Sequence, residues 1–221
     1  MEHRNKGASM KFFIDTADAE EIRQAADLGL LDGVTTNPTL IKRAGLVRED
    51  AIKTICDLVP GPVSAEALGP DADTFISEGL ELAKIAKNVV VKLPTNEAGL
   101  KACKALSDQG IDVNMTLIFQ PVQALLCARA GARFVSPFLG RLDDICSSGM
   151  GLIEELRVIF DNYGFDTEIL AASIRSPEHV KQAALRGADV CTIPFGVIKK
   201  LLNHPLTESG IAAFERDAGL H

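Results

Sequence analysis

The sequence has few of the features with which proteins bind nucleic acid. It contains no tryptophan and one tyrosine, and its formal net charge is −7. Nucleic-acid bases are commonly bound by stacking on aromatic side chains, and phosphate backbones are bound by clusters of lysine and arginine. The net negative charge also disfavours binding to anionic membranes. We therefore expect neither nucleic acid nor a membrane as a partner.

Cysteine pairs, long apolar runs and metal-binding spacings are missing as well. The five cysteines are dispersed and form no Cys-x-x-Cys pair, which is typical of reduced thiols in a cytosolic protein. No apolar run reaches the ~20 residues of a membrane-spanning helix, and residues 1–9 lack the apolar core of a signal peptide. The four histidines show neither His-x-His nor His-Glu-x-x-His spacing. We predict a cytoplasmic protein without a metal or another cofactor.

The sequence does contain a regular alternation of short apolar runs with helical patterns. The segment through Gly45 is predicted as a polar loop. Strands are predicted at residues 11–15, 33–36, 63–67, 89–93, 112–116, 134–137, 168–172 and 190–193. Helices are predicted at residues 17–28, 49–58, 71–86, 97–107, 121–130, 150–162, 177–185, 197–202 and 208–218.

Strict strand–helix alternation indicates a parallel sheet with helical crossovers. Eight such units predict an α/β fold with a single compact (β/α)8 TIM barrel. The barrel is expected at residues 10–221, after a polar extension at residues 1–9, and ends in an extra C-terminal helix. A doubly wound open sheet is the alternative, and it is disfavoured because no glycine-rich nucleotide-binding motif follows the first strand.

Lys92 stands near the end of the fourth predicted strand, in the stretch VVVKLP at residues 89–94. Consecutive β-branched residues are typical of a strand buried on both faces, and Pro94 should end it because proline cannot donate a ladder hydrogen bond. An ammonium group in such a place needs a partner or access to water. Lysines in apolar surroundings are the usual nucleophiles of Schiff-base chemistry. The alternative is a lysine that emerges into solvent where its strand stops.

Further charged residues stand at the C-terminal ends of strands, where barrel enzymes build their active sites. Asp15 ends the first strand and Glu66 lies on the third. Taken alone, Asp15 could cap a helix, and Glu66 could point outward from a half-exposed strand. Together with Lys92 they supply the nucleophile and the acid/base groups that imine chemistry requires. The other polar candidates at strand ends are Thr35, Thr36, Asn37, Asn114, Thr116 and Ser136.

Two arginines follow the sixth and seventh strands. These are Arg141 and Arg175, and Ser173 lies close to Arg175 in the sequence. Barrel enzymes commonly hold a phosphate near strands seven and eight, and arginine presents a bidentate fork that matches phosphate. An anionic substrate of a protein with net charge −7 needs such a local positive patch. We predict a phosphate site here, with a simple surface cation as the alternative for Arg175.

Four segments closely resemble those of the transaldolase family. They are DGVTTNPTLI at residues 32–41, VVKLP at 90–94, SPFLGRLDD at 136–144 and AASIR at 171–175. The resemblance covers nearly the whole chain from Met10, and the length resembles the small-subunit branch, which also contains the fructose-6-phosphate aldolases. It implies a TIM barrel that uses no cofactor and a homo-oligomer, either a pentamer or a decamer.

Two positions bear on which activity of that branch applies. The aldolase members carry glutamine on the third strand and tyrosine after the sixth, whereas this sequence has Glu66 and Phe138, the transaldolase pattern. A carboxylate can hold a water and shuttle its proton, which an amide does poorly. The resemblance therefore implies a transaldolase rather than an aldolase that frees dihydroxyacetone. A barrel that only binds sugar phosphates is a further alternative.

The resemblance also implies roles for individual residues. Lys92 would form an imine with the C2 carbonyl of a ketose phosphate, and Glu66 would relay protons through a water. Asp15 would take the proton of the C4 hydroxyl as the C3–C4 bond breaks. The implied donors are sedoheptulose 7-phosphate and fructose 6-phosphate, and the acceptors are glyceraldehyde 3-phosphate and erythrose 4-phosphate, in the non-oxidative pentose phosphate pathway. The implied substrate-binding residues are Thr36, Asn37, Asn114, Thr116 and Phe138, with Arg141, Ser173 and Arg175 for the phosphate.

Overall fold

A computed structural model describes residues 9–220. Eight parallel strands are hydrogen-bonded in sequence order, and β8 pairs with β1 to close the barrel. This confirms the predicted (β/α)8 barrel, while the predicted extension lies, except for Ser9, outside the described residues. The strands are β1 (Lys11–Asp15), β2 (Gly33–Thr35), β3 (Val63–Glu66), β4 (Val89–Pro94), β5 (Val113–Ile118), β6 (Phe134–Pro137), β7 (Glu168–Ala171) and β8 (Val190–Ile193).

Helices follow every strand and form the outer layer. Within residues 9–220 no helix is both long enough and apolar enough to cross a membrane. The helices are α1 (Ala19–Ala26), α2 (Pro38–Ala44), α3 (Arg48–Leu58), α4 (Ala72–Ala83), α5 (Glu97–Ser107), α6 (Pro121–Arg129), α7 (Leu139–Asp144), α8 (Gly149–Tyr163), α9 (Pro177–Leu185), α10 (Phe195–Leu201) and α11 (Pro205–Asp217).

Two of these helices, α2 and α7, were not predicted from the sequence. We predicted a polar loop through Gly45, and this was wrong because α2 occupies most of that segment. The Asn37 side chain accepts a hydrogen bond from the backbone N–H of Leu40 at 3.0 Å, Pro38 opens the helix, and Gly45 ends it with a φ of 68°. Because α2 buries Ile41 alone, it has no apolar periodicity from which to predict it.

The outer face of each strand packs against the helices. On β4, Val91 and Leu93 belong to the large buried cluster that also contains Leu82 of α4 and Leu106 of α5. Fully burying an aliphatic side chain of this size contributes about 1.5–3 kcal/mol to the free energy of folding. A shift of β4 by one residue would turn these side chains inward, so their packing fixes which residues face the barrel interior.

The barrel interior is filled in two layers. The lower layer is a separate buried cluster, in which the rings of Phe13 and Phe134 meet edge to face with centroids 5.9 Å apart. Because side chains alternate across a strand, the residue two positions later points the same way. An apolar floor therefore lies beneath polar side chains at the C-terminal ends of the strands. Two positions beyond the floor residues Phe13, Val90, Phe134 and Val190 are Asp15, Lys92, Ser136 and Thr192.

Candidate active site

The Lys92 ammonium is held inside the barrel between two oxygen atoms. Lys92 is 5% exposed. Its Nζ lies 3.1 Å from Oε2 of Glu66 and donates a hydrogen bond of 3.0 Å to the backbone carbonyl oxygen of Thr36. Glu66 and Lys92 are also register partners on adjacent strands. The lysine does not emerge into solvent, and its charge is compensated by a carboxylate, as burial of an ammonium requires.

Asp15 stands at the end of β1 and lines the same cavity as Lys92. Its Oδ1 accepts a hydrogen bond of 2.8 Å from the Thr35 hydroxyl. Burial raises the pKa of the Asp15 carboxyl above its ordinary value, while the Thr35 hydrogen bond and the positive charge of Lys92 act in the opposite direction. A carboxyl group whose ionised form is disfavoured in this way is suited to exchange protons with a substrate.

The polar layer opens into a cavity of about 150 Å³. A neighbouring cavity of about 500 Å³ shares several of its lining residues and adds Glu66 on β3 and Arg43 on α2. Lys92, Asp15 and Glu66 therefore face connected space that is large enough to admit a small ligand. Residues that line both cavities are Asp15, Asn37, Lys92, Thr116, Phe138 and Arg141.

The predicted binding residues Asn37, Thr116 and Thr36 differ in whether their side chains are already hydrogen-bonded to the protein. The Asn37 side chain lines both cavities while its Oδ1 caps α2. Thr116 lines both cavities, and its buried hydroxyl has no hydrogen-bond partner among the described residues. Leaving a buried hydroxyl without a hydrogen bond costs about 1–3 kcal/mol of folding free energy, and a bound molecule that bonds to it would recover that cost. The Thr36 hydroxyl instead donates to the carbonyl oxygen of Ser64 at 2.8 Å, and Thr36 faces Lys92 through its backbone.

Asn114, the register partner of Lys92 on β5, is fully buried and lines neither cavity. Its amide nitrogen donates to the Ser64 hydroxyl at 3.0 Å, and its amide oxygen accepts from the Ser136 hydroxyl at 2.7 Å. Ser136 in turn lines the cavity. Asn114 thus holds the hydroxyl of Ser136 in place, and direct binding of a substrate by Asn114 stays a prediction.

The predicted phosphate-binding residues are only partly assembled. Arg141 lines both cavities, and its guanidinium carbon lies 4.9 Å from the centre of the Phe138 ring. Ser173 lines the smaller cavity in a left-handed backbone conformation with a φ of 58°. Arg175 is paired in bidentate fashion with Asp144 at 2.8 and 2.6 Å, and its side chain is 51% exposed. The two arginines therefore differ in their freedom to bind an anion.

Sequence reasoning missed Thr192, which lines the smaller cavity. It named Thr35 at a strand end but assigned a binding role only to its neighbour Thr36. Thr192 could have been found from the alternation on β8, because it follows the floor residue Val190 by two positions. Within residues 9–220, no group of three or more His, Cys, Asp or Glu side chains is arranged to hold a metal ion.

The fold and the site define a class of protein, the (β/α)8-barrel enzymes with a lysine among carboxylates at the C-terminal ends of the strands. A family model described as transaldolase/fructose-6-phosphate aldolase matches residues 12–219. The chain belongs to this family.

Its curated relatives match over nearly their whole length. A probable transaldolase from Geobacter sulfurreducens is 60% identical over 208 residues, which cover 94% of this chain and 97% of that protein. A probable transaldolase from Citrifermentans bemidjiense is 59% identical with the same coverage. One from Dinoroseobacter shibae is 59% identical, covering 94% of this chain and 96% of that protein.

Among solved structures, a thiamine phosphate pyrophosphorylase from Pyrococcus furiosus is similar, with a TM-score of 0.57. It is 14% identical to this chain and covers 84% of it, and the match covers 85% of that structure's chain. This likeness supports the barrel fold alone.

Proposed function

We propose that the protein is a transaldolase, which transfers a dihydroxyacetone unit from a ketose phosphate to an aldose phosphate through a Schiff base. The observation that carries the proposal is the contact of 3.1 Å between Lys92 Nζ and Glu66 Oε2, in a cavity that Asp15 also lines. The donors are sedoheptulose 7-phosphate and fructose 6-phosphate, with glyceraldehyde 3-phosphate and erythrose 4-phosphate as acceptors. The non-oxidative pentose phosphate pathway in the cytoplasm is the proposed setting.

The first half of the reaction forms the imine. Glu66 is placed to accept the proton that the Lys92 ammonium must lose before its nitrogen can attack the C2 carbonyl. The attack gives a carbinolamine, whose C2 hydroxyl leaves as water once Glu66 has relayed a proton to it through a bound water. Thr116 has a free hydroxyl with which to hold that water.

The second half breaks and remakes a carbon–carbon bond. Asp15 takes the proton of the C4 hydroxyl, the C3–C4 bond breaks, and its electron pair moves to the protonated imine. The aldose product leaves, and an enamine stays on Lys92. The enamine carbon then attacks the aldehyde carbon of the acceptor, and Asp15 returns its proton to the new hydroxyl. Addition of water to the imine that results, the reverse of the first half, frees the product ketose and Lys92. Asn37 binds the hydroxyls of the three-carbon unit from the cavity wall.

Glu66 and Phe138 favour transfer over release of free dihydroxyacetone. The Phe138 ring contacts Phe119, with centroids 6.0 Å apart, and brings no hydroxyl into the cavity. A tyrosine there would offer a second proton donor for the hydrolysis of the intermediate. The carboxylate of Glu66, 3.1 Å from Lys92 Nζ, can exchange protons with the lysine nitrogen, which an amide at this position cannot do.

The phosphate of the substrate is bound by Arg141, Ser173 and Arg175. Arg141 on α7 and Ser173 after β7 line the smaller cavity, and Arg175 lies against Gly140 of α7 without lining it. Arginine provides a planar fork for phosphate oxygens, and the serine hydroxyl adds a further donor. The positive charges also attract an anionic substrate to a protein of net charge −7.

Trapping with borohydride tests the imine. Reduction in the presence of fructose 6-phosphate should attach a three-carbon unit to wild-type protein, located at Lys92 by peptide mass spectrometry. Lys92→Ala should acquire no adduct, whereas Lys84→Ala, which removes an exposed lysine at the end of α4, should match wild type. A wild-type protein that stays unlabelled would contradict the proposal.

The acceptor dependence separates the two activities of the family. With fructose 6-phosphate and erythrose 4-phosphate, the enzyme should form sedoheptulose 7-phosphate and glyceraldehyde 3-phosphate. With fructose 6-phosphate alone it should release little free dihydroxyacetone. Rapid release without an acceptor would establish the aldolase instead.

We also propose that the chain forms a homo-oligomer, a pentamer or a decamer. Helix α11 buries none of its residues, and it exposes Leu206, Ile211 and Phe214. An apolar helix face that a single chain leaves uncovered is typical of a subunit contact. Sedimentation velocity should show the oligomer, and Phe214→Glu should weaken it; a monomeric wild-type protein would contradict this proposal.

A further inference from the structure

Three side chains from neighbouring strands form a row of hydrogen bonds beside the reaction site. The hydroxyl oxygens of Thr192 on β8 and Thr35 on β2 lie 2.6 Å apart. Thr35 donates to Oδ1 of Asp15 at 2.8 Å. Strand β1, which carries Asp15, is paired with both β2 and β8. The closed barrel therefore brings together two hydroxyls and a carboxylate that lie far apart in the sequence.

The protonation state of Asp15 determines which way the hydrogen bonds of this row point. A threonine hydroxyl has a single hydrogen to donate. While Asp15 is ionised, the hydrogen of Thr35 is directed to the carboxylate, so Thr192 must donate to Thr35. When Asp15 is protonated, its own hydroxyl can donate to Thr35, provided that Thr35 turns its hydrogen towards Thr192. The row thus has two directions, and each matches one protonation state of Asp15.

We propose that Thr192 is a positioning residue for the proton transfer of Asp15 and acts through Thr35. The inference rests on the role of Asp15 in the proposed function. Thr192 fixes the Thr35 hydroxyl by donating to it, and the two aligned hydrogen bonds polarise each other. The carboxylate is thereby held at one orientation towards the cavity, and its ionised form is stabilised against burial.

Asp15 is surrounded by charged groups across the cavities and by hydroxyl groups on the two strands that pair with β1. The charged groups that face Asp15 across the two cavities are Lys92 on β4, Glu66 on β3, Arg43 on α2 and Arg141 on α7. The strands paired with β1 contribute only the hydroxyls of Thr35 and Thr192 from their inward positions. Removing the Thr192 hydroxyl leaves all of these charges in place, so its effect can be measured separately from theirs.

Steady-state kinetics of Thr192→Val and Thr192→Ser test the proposal. Valine has nearly the shape of threonine without its hydroxyl, and serine keeps the hydroxyl. Thr192→Val should lower kcat about three- to tenfold, as loss of one hydrogen bond to a reacting group does, and leave KM unchanged. The acidic limb of its pH profile should move to higher pH, because a carboxylate with less support ionises less readily. Thr192→Ser should restore both properties.

A double-variant cycle shows whether Thr192 acts through Thr35. In a Thr35→Val background, Thr192→Val should cause no further loss, because the hydroxyl between Thr192 and Asp15 is already gone. Additive losses would mean that Thr192 contacts the substrate itself, and they would overturn the proposal. Equal activity and an identical pH profile for Thr192→Val and wild type would overturn it as well.

Carbon-13 NMR of the aspartate carboxyl groups gives a readout that needs no turnover. The Asp15 signal is identified by its absence from Asp15→Asn, and its titration is followed in the resting protein. Its midpoint should rise in Thr192→Val and stay at the wild-type value in Thr192→Ser. An unmoved midpoint in Thr192→Val refutes this inference whether or not the protein is a transaldolase. A moved midpoint in a protein that forms no borohydride adduct supports the hydrogen-bonded row and refutes the proposed function alone.

Discussion

The two ends of the candidate substrate site are built in different ways. At the buried end, Lys92, Glu66 and Asp15 stand on barrel strands, and their positions follow from the register of the sheet. At the exposed end, Arg141 and Arg175 lie on α7 and on the segment that precedes α9. One end is held by the closed hydrogen-bonded sheet, and the other by connecting segments near the surface.

This difference determines how each end can respond to a substrate. Charges in a buried site interact strongly, and their neighbours cannot rearrange without breaking well-formed hydrogen bonds. An exposed ion pair contributes little and can exchange partners. We therefore expect changes at the buried end to lower kcat and changes at the exposed end to alter KM.

Asp15→Asn should have the largest effect. It removes the group proposed to exchange the proton of the C4 hydroxyl, so transfer should fall about 10²- to 10⁴-fold, while borohydride trapping of an imine with intact donor should persist. Steady-state transfer assays and mass spectrometry of the adduct measure these two outcomes. Asp27→Asn, which alters an exposed aspartate at the end of α1, is the control and should change neither. Residual transfer above one tenth of wild type would assign the proton exchange to another group.

The same variant should be more stable than wild type near neutral pH. The folded protein raises the pKa of Asp15, so ionising this carboxyl costs folding free energy as the pH rises from its unfolded pKa through its folded pKa. Asparagine avoids that cost, and the gain should disappear at acidic pH, where the carboxyl is protonated in both states. Thermal unfolding of Asp15→Asn and wild type between pH 3 and 8 measures this gap, which is the difference between their free energies of unfolding. A gap that widens towards acidic pH would contradict the raised pKa.

Glu66→Gln should have the second largest effect. The amide cannot accept the proton of the Lys92 ammonium, so transfer should fall about 10- to 100-fold. The ratio of free dihydroxyacetone release to transfer should increase, because the substitution weakens the proposed proton relay through Glu66. Product analysis with and without erythrose 4-phosphate gives the ratio, with Glu81→Gln on α4 as an exposed control. If the ratio stays at its wild-type value, Glu66 does not select between the two activities.

Arg175→Ala should affect the other end of the site. Loss of a charge-assisted contact with phosphate should raise KM for fructose 6-phosphate about tenfold or more, with a much smaller change in kcat. Turnover of unphosphorylated fructose should be unaffected, and this comparison separates phosphate binding from a general defect. Arg23→Ala, which removes an exposed arginine of α1, provides the control. An equal loss with both donors would place Arg175 outside the phosphate site.

The contrast between the two ends also explains what could be predicted from the sequence. Eight apolar runs and their helices indicate the barrel, and the barrel places the C-terminal end of every strand on one face. The alternation along a strand then orients Asp15 and Lys92 inward, two positions beyond Phe13 and Val90. Local sequence patterns were sufficient here because the register of the closed sheet fixes which side chain of each strand points into the barrel.

Other features depend on contacts between distant segments and could not be predicted in this way. The choice between Thr35 and Thr36 depends on where β2 meets β3, and a shift of one residue exchanges their directions. The pairing of Arg175 with Asp144 joins two residues 31 positions apart, one at the end of α7 and the other in the segment after β7. The short helix α2 depends on capping by Asn37 more than on an apolar face, because it buries Ile41 alone. Helix α7 buries Leu139 and Leu142, but its six residues are too few to show an apolar periodicity in the sequence.

Asp144→Asn should have the smallest effect and tests the contrast most directly. The Asp144 carboxylate occupies the fork of Arg175 at 2.8 and 2.6 Å, and a phosphate must displace it to use that fork. Because exposed pairs of this kind are worth up to about 1 kcal/mol, KM for fructose 6-phosphate should fall about two- to fourfold, with kcat unchanged. The gain should shrink in high salt, which screens the competing charge, and it should vanish in an Arg175→Ala background. If KM rises instead, Asp144 aligns Arg175 for the substrate, and the exposed end is as preorganised as the buried one.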